Sequence, residues 1–299
     1  MRRLALFIIT NISVMLIIGV LLTITGIKSS SVLALMVLAG VTGFGGALIS
    51  LFLSKKIALM SVGGKIITKP CDEIQQWLIE TISKQAKKMR IGMPKVAIYP
   101  ATDINAFATG ARRDDSLIAV SAGLLKDMTK EEVEAVLAHE MSHIANGDMV
   151  TMTLLQGIAN TFVFFISRIL AQFISGLLSA NRNYNSTSTL YFVTAAVSAL
   201  QTAIGILSSI IIMWFSRKRE FYADAGAARL VGRDKMIAAL QRLKSSIELP
   251  KEISTIRPFC INGNGSKKRK RTAAVSMLFN SHPSLEQRIK ALRTLKYLK

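Results

Sequence analysis

His139-Glu140-Met141-Ser142-His143 lies inside a helical stretch, Thr129 to Ala145, and sets two imidazoles four residues apart with a carboxylate directly after the first. A four-residue helical step returns to nearly the same face, so both ring nitrogens can reach one ion. At about 100° per residue, Glu140 falls about 60° around the axis from His143 and about 100° from His139, beside that ion and not on it. A base belongs there. Zn²⁺ brings the pKa of its water down towards about 7, and a neighbouring carboxylate accepts the proton as a carbonyl is attacked. The plain alternative is a pair of structural histidines. The helix around them is well specified: Thr129 and Glu132 form a capping box, Glu131 and Glu132 favour the positive helix end, and Asn146-Gly147 offers a C-terminal stop. Val133, Leu137 and Ile144 make an apolar stripe beside the histidine face.

Outward from this helix the chain is strongly apolar. It has 299 residues, 51% of them hydrophobic, and the excess is concentrated in Leu4 to Thr25, Val32 to Leu53, Leu154 to Leu178 and Leu190 to Phe215. Each is long enough for a hydrocarbon core that needs about 20 apolar residues. None of them, nor their short connections, contains Asp or Glu. The first run is too long for a signal peptide and no A-x-A site follows, so it is expected to remain. In the second, Ala39, Gly40, Gly43, Gly46 and Ala47 form a small-residue stripe suited to close helix packing. Arg168 near the middle of the third costs about 2.5 to 3.5 kcal/mol on insertion scales. It either helps to admit substrate or serves an interhelical or snorkelling contact.

Basic residues orient the spans. Arg2, Arg3, Lys55, Lys56, Arg217, Lys218 and Arg219 flank one side, while the two hairpin loops hold only Lys28 and Arg182. Both termini and the polar parts are therefore expected in the cytoplasm. The net charge of +20 is uneven: residues 54–156 carry 13 Lys+Arg against 12 Asp+Glu, and residues 216–299 carry 20 against 6. Much of the excess follows a membrane span, where basic groups attract anionic lipid, and no stacking-aromatic platform accompanies it. A lipid bilayer is the expected partner and nucleic acid is not. Cys71 and Cys260 lie in no metal-spaced pattern and read as reduced, structural thiols.

The order is thus a first transmembrane hairpin (1–53), a polar part with the two-histidine helix (54–153), a second hairpin (154–215) and a second polar part (216–299). Residues 72–89 read as a helix with Ile74, Trp77, Leu78 and Ile82 on one side. Val96 to Tyr99, Ala106 to Thr109 and Leu117 to Val120 read as a small sheet. Gly232-Arg233-Asp234 interrupts a helical pattern that resumes over Lys235 to Glu248, and Ser284 to Leu298 forms a closing helix. Neither polar part buries much core alone, so the two are expected to pack as one domain.

A catalytic site needs a third protein ligand and an open position. His282 is the only other histidine, which makes a carboxylate the better candidate: Glu220, with Asp224 one helical turn on to orient a ligating imidazole. The alternative is an exposed i to i+4 pair beside arginines. At about 1.5 Å per residue from both flanking spans, the ion would sit roughly 10 to 15 Å from the bilayer surface.

Leu137 to Asp148, Glu220-Phe221-Tyr222-Ala223-Asp224 and His282 to Ile289 together closely resemble the HtpX heat-shock membrane metalloproteases, relatives of the eukaryotic endopeptidases that process prenylated (CAAX) proteins. The resemblance spans nearly the whole chain. It implies an α+β, mainly helical integral membrane protein: four transmembrane helices and a zincin-like cytoplasmic metalloprotease domain with a small β-sheet. It implies one Zn²⁺ on His139, His143 and Glu220, and Glu140 as general base. His282 would stabilise the oxyanion, Arg288 would hold His282 or Glu220, and Asn105-Ala106-Phe107-Ala108 would be a substrate-facing strand. On the residues alone, His282 is undecided, and the alternative for 105–108 is an ordinary core strand. The implied substrates are misfolded or damaged membrane proteins, and the implied setting is envelope stress at the bacterial inner membrane. A processing protease for lipidated peptides and a non-catalytic zinc-stabilised adaptor are the competing readings. The basic run Lys267-Lys268-Arg269-Lys270-Arg271 departs from the pattern and reads as a solvated loop.

Overall fold

The structure, a computed structural model, describes residues 32–179, 187–248 and 282–294. The expected first span, Lys28, Arg182, Cys260 and the basic run 267–271 lie outside the described residues. In chain order the elements are α1 (Val32–Val62), β1 (Lys65–Ile66), α2 (Glu73–Met89), β2 (Lys95–Tyr99), β3 (Ala106–Arg112), β4 (Asp115–Ser121), α3 (Ala122–Asp127), α4 (Lys130–Asn146), α5 (Asp148–Ser179), α6 (Thr187–Val231), α7 (Arg233–Glu248) and α8 (Leu285–Arg293). They form two compact units. Among the described residues, one comprises 51–152, 213–248 and 282–294; the other comprises 32–50, 153–179 and 187–212.

The first unit is built on a mixed sheet in the order β1-β2-β4-β3. β2 and β4 run parallel, and β1 and β3 lie antiparallel on the two outer edges. β3 and β4 form a tight hairpin through Arg113-Asp114, with a bulge between Thr109 and Arg112. Gly110 serves that bulge at φ +145°, where a Cβ would sit 2.8 Å from the Asp115 carbonyl oxygen. Central strand β4 is buried from Ser116 to Ser121 because both its faces are covered. On one face Val96, Ala106, Ala108, Ile118 and Val120 pack with Leu78, Ile82, Val136, Leu137, Met141 and Leu240 in the main core. On the other, Ala97, Tyr99, Leu117 and Ala119 pack with Val62.

The strands expected at 96–99, 106–109 and 117–120 are all present, while β1, only two residues long, gives too short a pattern to announce itself. β3 is an edge strand, and alternate residues Ala106, Ala108 and Gly110 are buried. Helix α2 buries Leu78, Thr81, Ile82, Gln85 and Ala86. Ile74, expected on that face, is 50% exposed, because the core covers the helix only from Trp77 onward. Both ends of α4 are as expected: the Thr129–Glu132 capping box is formed, and Gly147 caps the C-terminus at φ +68°. Cys71 is a free, exposed thiol.

The second unit contains long apolar helical stretches. Three described helices are long and apolar enough to cross a membrane: Ala34–Val62, Asp148–Ile174 and Thr194–Val231. Within this unit the small-residue stripe works at Gly43, where a Cβ would meet Thr161 at 2.3 Å, and Gly157 lies as close against the Phe44 ring. Gly40, expected in the same contact, faces open space. Leu35, Ala39 and Phe164 are buried together. The Arg168 guanidinium lies 5.4 Å from the Phe164 ring centre, which gives it a cation–π partner. Helix α6 runs unbroken past the expected end of the fourth span at Phe215, through Glu220 and Asp224, to Gly232.

Candidate metal centre

Helix α4 is buried along nearly its whole C-terminal half, from Val133 to Ile144 apart from Glu134. His139 and His143 therefore point into protein, not solvent. Their rings meet edge to face, with centres 4.7 Å apart and planes at 87°. Their Nε2 atoms are 3.2 Å apart.

The carboxylate that meets them comes from α6. Gly226 explains how close the two helices come: a Cβ there would lie 2.6 Å from Ser142 Oγ, and Ser142 sits between the histidines on α4. That approach puts Glu220 Oε2 3.6 Å from His139 Nε2 and Glu220 Oε1 3.5 Å from His143 Nε2. Ligands bound tetrahedrally at about 2.0–2.1 Å lie about 3.3 Å from one another. The three side chains are spaced as one metal ion requires, and all are buried. A buried carboxylate facing two imidazole nitrogens at this spacing is a donor set that fits a cation.

Each imidazole is held from behind by an aspartate and an arginine. His139 Nδ1 is 3.0 Å from Asp224 Oδ1. Arg288, from α8, donates to both Asp224 oxygens, Nε at 2.8 Å and Nη2 at 2.5 Å, while its Nη1 lies 3.2 Å from Glu220 Oε2. Of the two partners expected for Arg288, the contact is with Glu220. His143 Nδ1 is 2.5 Å from Asp148 Oδ2, and Arg219 Nη2 is 2.6 Å from Asp148 Oδ1. Such partners fix the tautomer and the ring direction of a ligating histidine. Glu220 and Asp224 are 4% and 1% exposed, so the surface-pair alternative is overturned. They are buried because Gly226 lets α6 sit directly on α4.

Burial pulls the His139 imidazole towards its neutral form and the Arg288 charge acts the same way, but hydrogen bonds with Asp224 and Glu220 outweigh both and hold its pKa above the usual histidine value. At His143 burial is again the opposing influence, overcome by Glu220 and then Glu140. Burial also opposes the Arg288 charge, and Asp224 and Glu220 more than restore it. Glu140 is 5% exposed.

His282 joins the cluster from the start of the segment leading into α8, with Nδ1 3.0 Å from Glu220 Oε2. Its side chain is 21% exposed against 3% and 11% for the other two histidines, so it stands at the mouth of the site. Asn105 to Ala108 take no part in the His–His–Glu triangle. Asn105 is buried, with its backbone N–H donating to Ser121 Oγ at 3.1 Å and its side-chain amide to the Tyr99 hydroxyl. Asp148 and Arg219 were missed as site residues. Asp148 lies one residue past the αL glycine, and an acid there reads as an ordinary helix start.

The profile of peptidase family M48 matches residues 72–296. The chain belongs to that family. Full-length relatives named Protease HtpX are 59% identical in Pectobacterium carotovorum subsp. carotovorum and 57% identical in Yersinia enterocolitica, each aligned over all of both chains. The crystal structure of S. mikatae Ste24p shares the fold, with a TM-score of 0.63 at 18% identity over 94% of this chain. The chain spans 62% of that protein's length. M48 membership and the apolar helices make this a membrane metalloprotease that hydrolyses peptide bonds, and His139, His143 and Glu220 fit its metal ion.

Proposed function

We propose that this M48 peptidase is a zinc endopeptidase that degrades misfolded or damaged membrane proteins, with its active site and termini on the cytoplasmic side of a bacterial inner membrane that it crosses several times. The observation that carries the reading is the triangle of His139, His143 and Glu220 ligand atoms next to the buried carboxylate of Glu140. Two imidazoles and one carboxylate are a common catalytic zinc set. Zinc bound there supplies Lewis-acid polarisation of a carbonyl and acidification of water.

Glu140 takes the proton from the attacking water and returns it to the leaving amine nitrogen. His282, at the mouth, donates a hydrogen bond to the developing oxyanion. Asp224 and Arg288 are positioning residues: they hold the His139 ring and Glu220 in place through the contacts at 2.5–3.2 Å. Substrate residues add to the sheet alongside Asn105-Ala106-Phe107-Ala108, for which the edge position of β3 speaks. The setting we assign is quality control in envelope stress; the 59% identical relative named Protease HtpX supports the proteolytic part of that reading. The polar parts 54–153 and 216–299 then act as one protease domain, carried by hairpins 1–53 and 154–215.

Purified full-length protein, stripped with chelator and reloaded with Zn²⁺, is expected to regain cleavage of unfolded membrane polypeptides, while Mg²⁺ or Ca²⁺ leaves it inert. Preference for a prenylated peptide over the unfolded polypeptide would replace degradation with processing as the role. Activity that survives complete removal of bound metal would end the zinc reading.

A further inference from the structure

Helices α6 and α8 face one another across a cavity of about 500 Å³ beside the metal centre. The α6 wall presents Trp214, Arg217, Lys218 and Phe221, a single face at helical spacing, and α8 presents Gln287 and Lys290. Three cations and two aromatic rings line it, and none of the described lining residues is acidic. The Lys218 ammonium sits 5.6 Å from the Trp214 ring centre, and Trp214 is 52% exposed.

We infer that this cavity binds the head group of an anionic glycerophospholipid. Trp214 and Phe215 close the apolar part of a candidate span and Arg217, Lys218 and Arg219 come just after, which is the order of residues found where a helix leaves a bilayer. A phosphodiester brings one negative charge and several acceptor oxygens to Arg217, Lys218, Lys290 and the Gln287 amide. The acyl chains leave along the rings of Trp214 and Phe221. An occupied cavity also ties α8 to α6 within a few residues of Arg288 and Glu220, the pair that joins those helices at the site. This site lies outside the catalytic set, so it is tested without activity.

Native mass spectrometry of the full-length protein, released from nanodiscs of phosphatidylcholine with a tenth phosphatidylglycerol, counts retained lipid. Wild type and Glu140→Gln are expected to hold one phosphatidylglycerol equally, with or without chelator. Lys218→Gln with Lys290→Gln should weaken retention roughly twentyfold to thirtyfold, about fivefold for each lost cation. Lys218→Arg with Lys290→Arg should keep it. Equal retention by the Gln double variant, or loss in the Arg double variant, overturns the inference. So does competition by glycerol phosphate at the same concentration as the lipid, which would make the occupant a free phosphate. Displacement of the lipid by a peptide with a free C-terminal carboxylate, but not by its amide, overturns it in favour of a substrate subsite.

Discussion

The two ligating imidazoles are held by the same device assembled in different ways. His143 has a local support: Asp148 is five residues on, and only Arg219 comes from far away. His139 has a remote one, with Asp224 on α6 and Arg288 on α8. The remote side is the drier. Arg288 is 1% exposed, whereas the Arg219 side chain is 14% exposed. A buried guanidinium that loses its carboxylate has no water to turn to, so the His139 side should be the more costly to damage. It also links three helices, which makes the metal site a clamp on the fold as well as a place for chemistry.

Changing the chemistry while sparing both supports should have the largest effect. Glu140→Gln is expected to lower kcat by about 10³-fold or more while bound metal stays stoichiometric, since a positioned acid–base group contributes up to about 10⁴-fold. Metal analysis paired with single-turnover cleavage checks it. A parallel loss of metal would make Glu140 part of the binding set.

Acidification attacks both sides together. Ligation requires neutral imidazoles, and in the metal-free protein both His pKa values are raised, so protons compete at higher pH than at an ordinary histidine. Metal affinity should be intact on the alkaline side and fall as pH drops, by up to about tenfold per unit for each imidazole. Titrating metal occupancy from pH 8.5 to 5.5 measures it; a flat profile would contradict the raised values.

Asp224→Asn and Asp148→Asn set the two supports directly against each other. Each should cost between about 10-fold and 100-fold in metal affinity. The Asp224 change should lie at the upper end and also destabilise the protein by about 3 kcal/mol, because it removes the charge that Nε and Nη2 of the buried Arg288 bind. Equal losses in affinity and Tm for the two variants would show that remoteness and dryness do not matter here.

Gly226→Ala tests the helix contact that delivers the remote side. A methyl 2.6 Å from Ser142 Oγ forces α6 off α4, at about 1–3 kcal/mol, with a several-fold weaker hold on the metal. Ser142→Ala in the same protein should restore part of it. The smallest effect is expected at the 2.9 Å Lys235–Glu134 pair, which joins α7 to α4 at the surface. Lys235→Ala should leave kcat, metal content and Tm within error, as exposed pairs contribute little.

Local periodicity made much of this site readable. The i to i+4 histidines, the Thr129 cap and the Gly147 stop each depend on residues within one or two helical turns. Glu220 and Asp224 could be proposed as a pair at helical spacing, but whether they were buried ligands or surface charges was undecidable from their neighbours. Asp148 is hidden for the opposite reason: an acid at a helix start is so ordinary that nothing in the sequence marks its contact with His143. Ile74 and Gly40 were assigned to faces by pattern alone, and pattern cannot say where a neighbouring element stops.

By itself the chain determined the two-histidine helix and the apolar helices, because these follow from short-range repeats of residue type, and its resemblance over three separate motifs pointed to the family. The tertiary structure decided which carboxylates meet which ring nitrogens. Apart from His143 with Asp148, those contacts join residues 62 to 85 positions apart: Glu220 with His139, His143 and His282, and Asp224 with His139. They exist because a glycine on one helix lets it settle against a serine on another, a fit of surfaces that no local window of sequence contains.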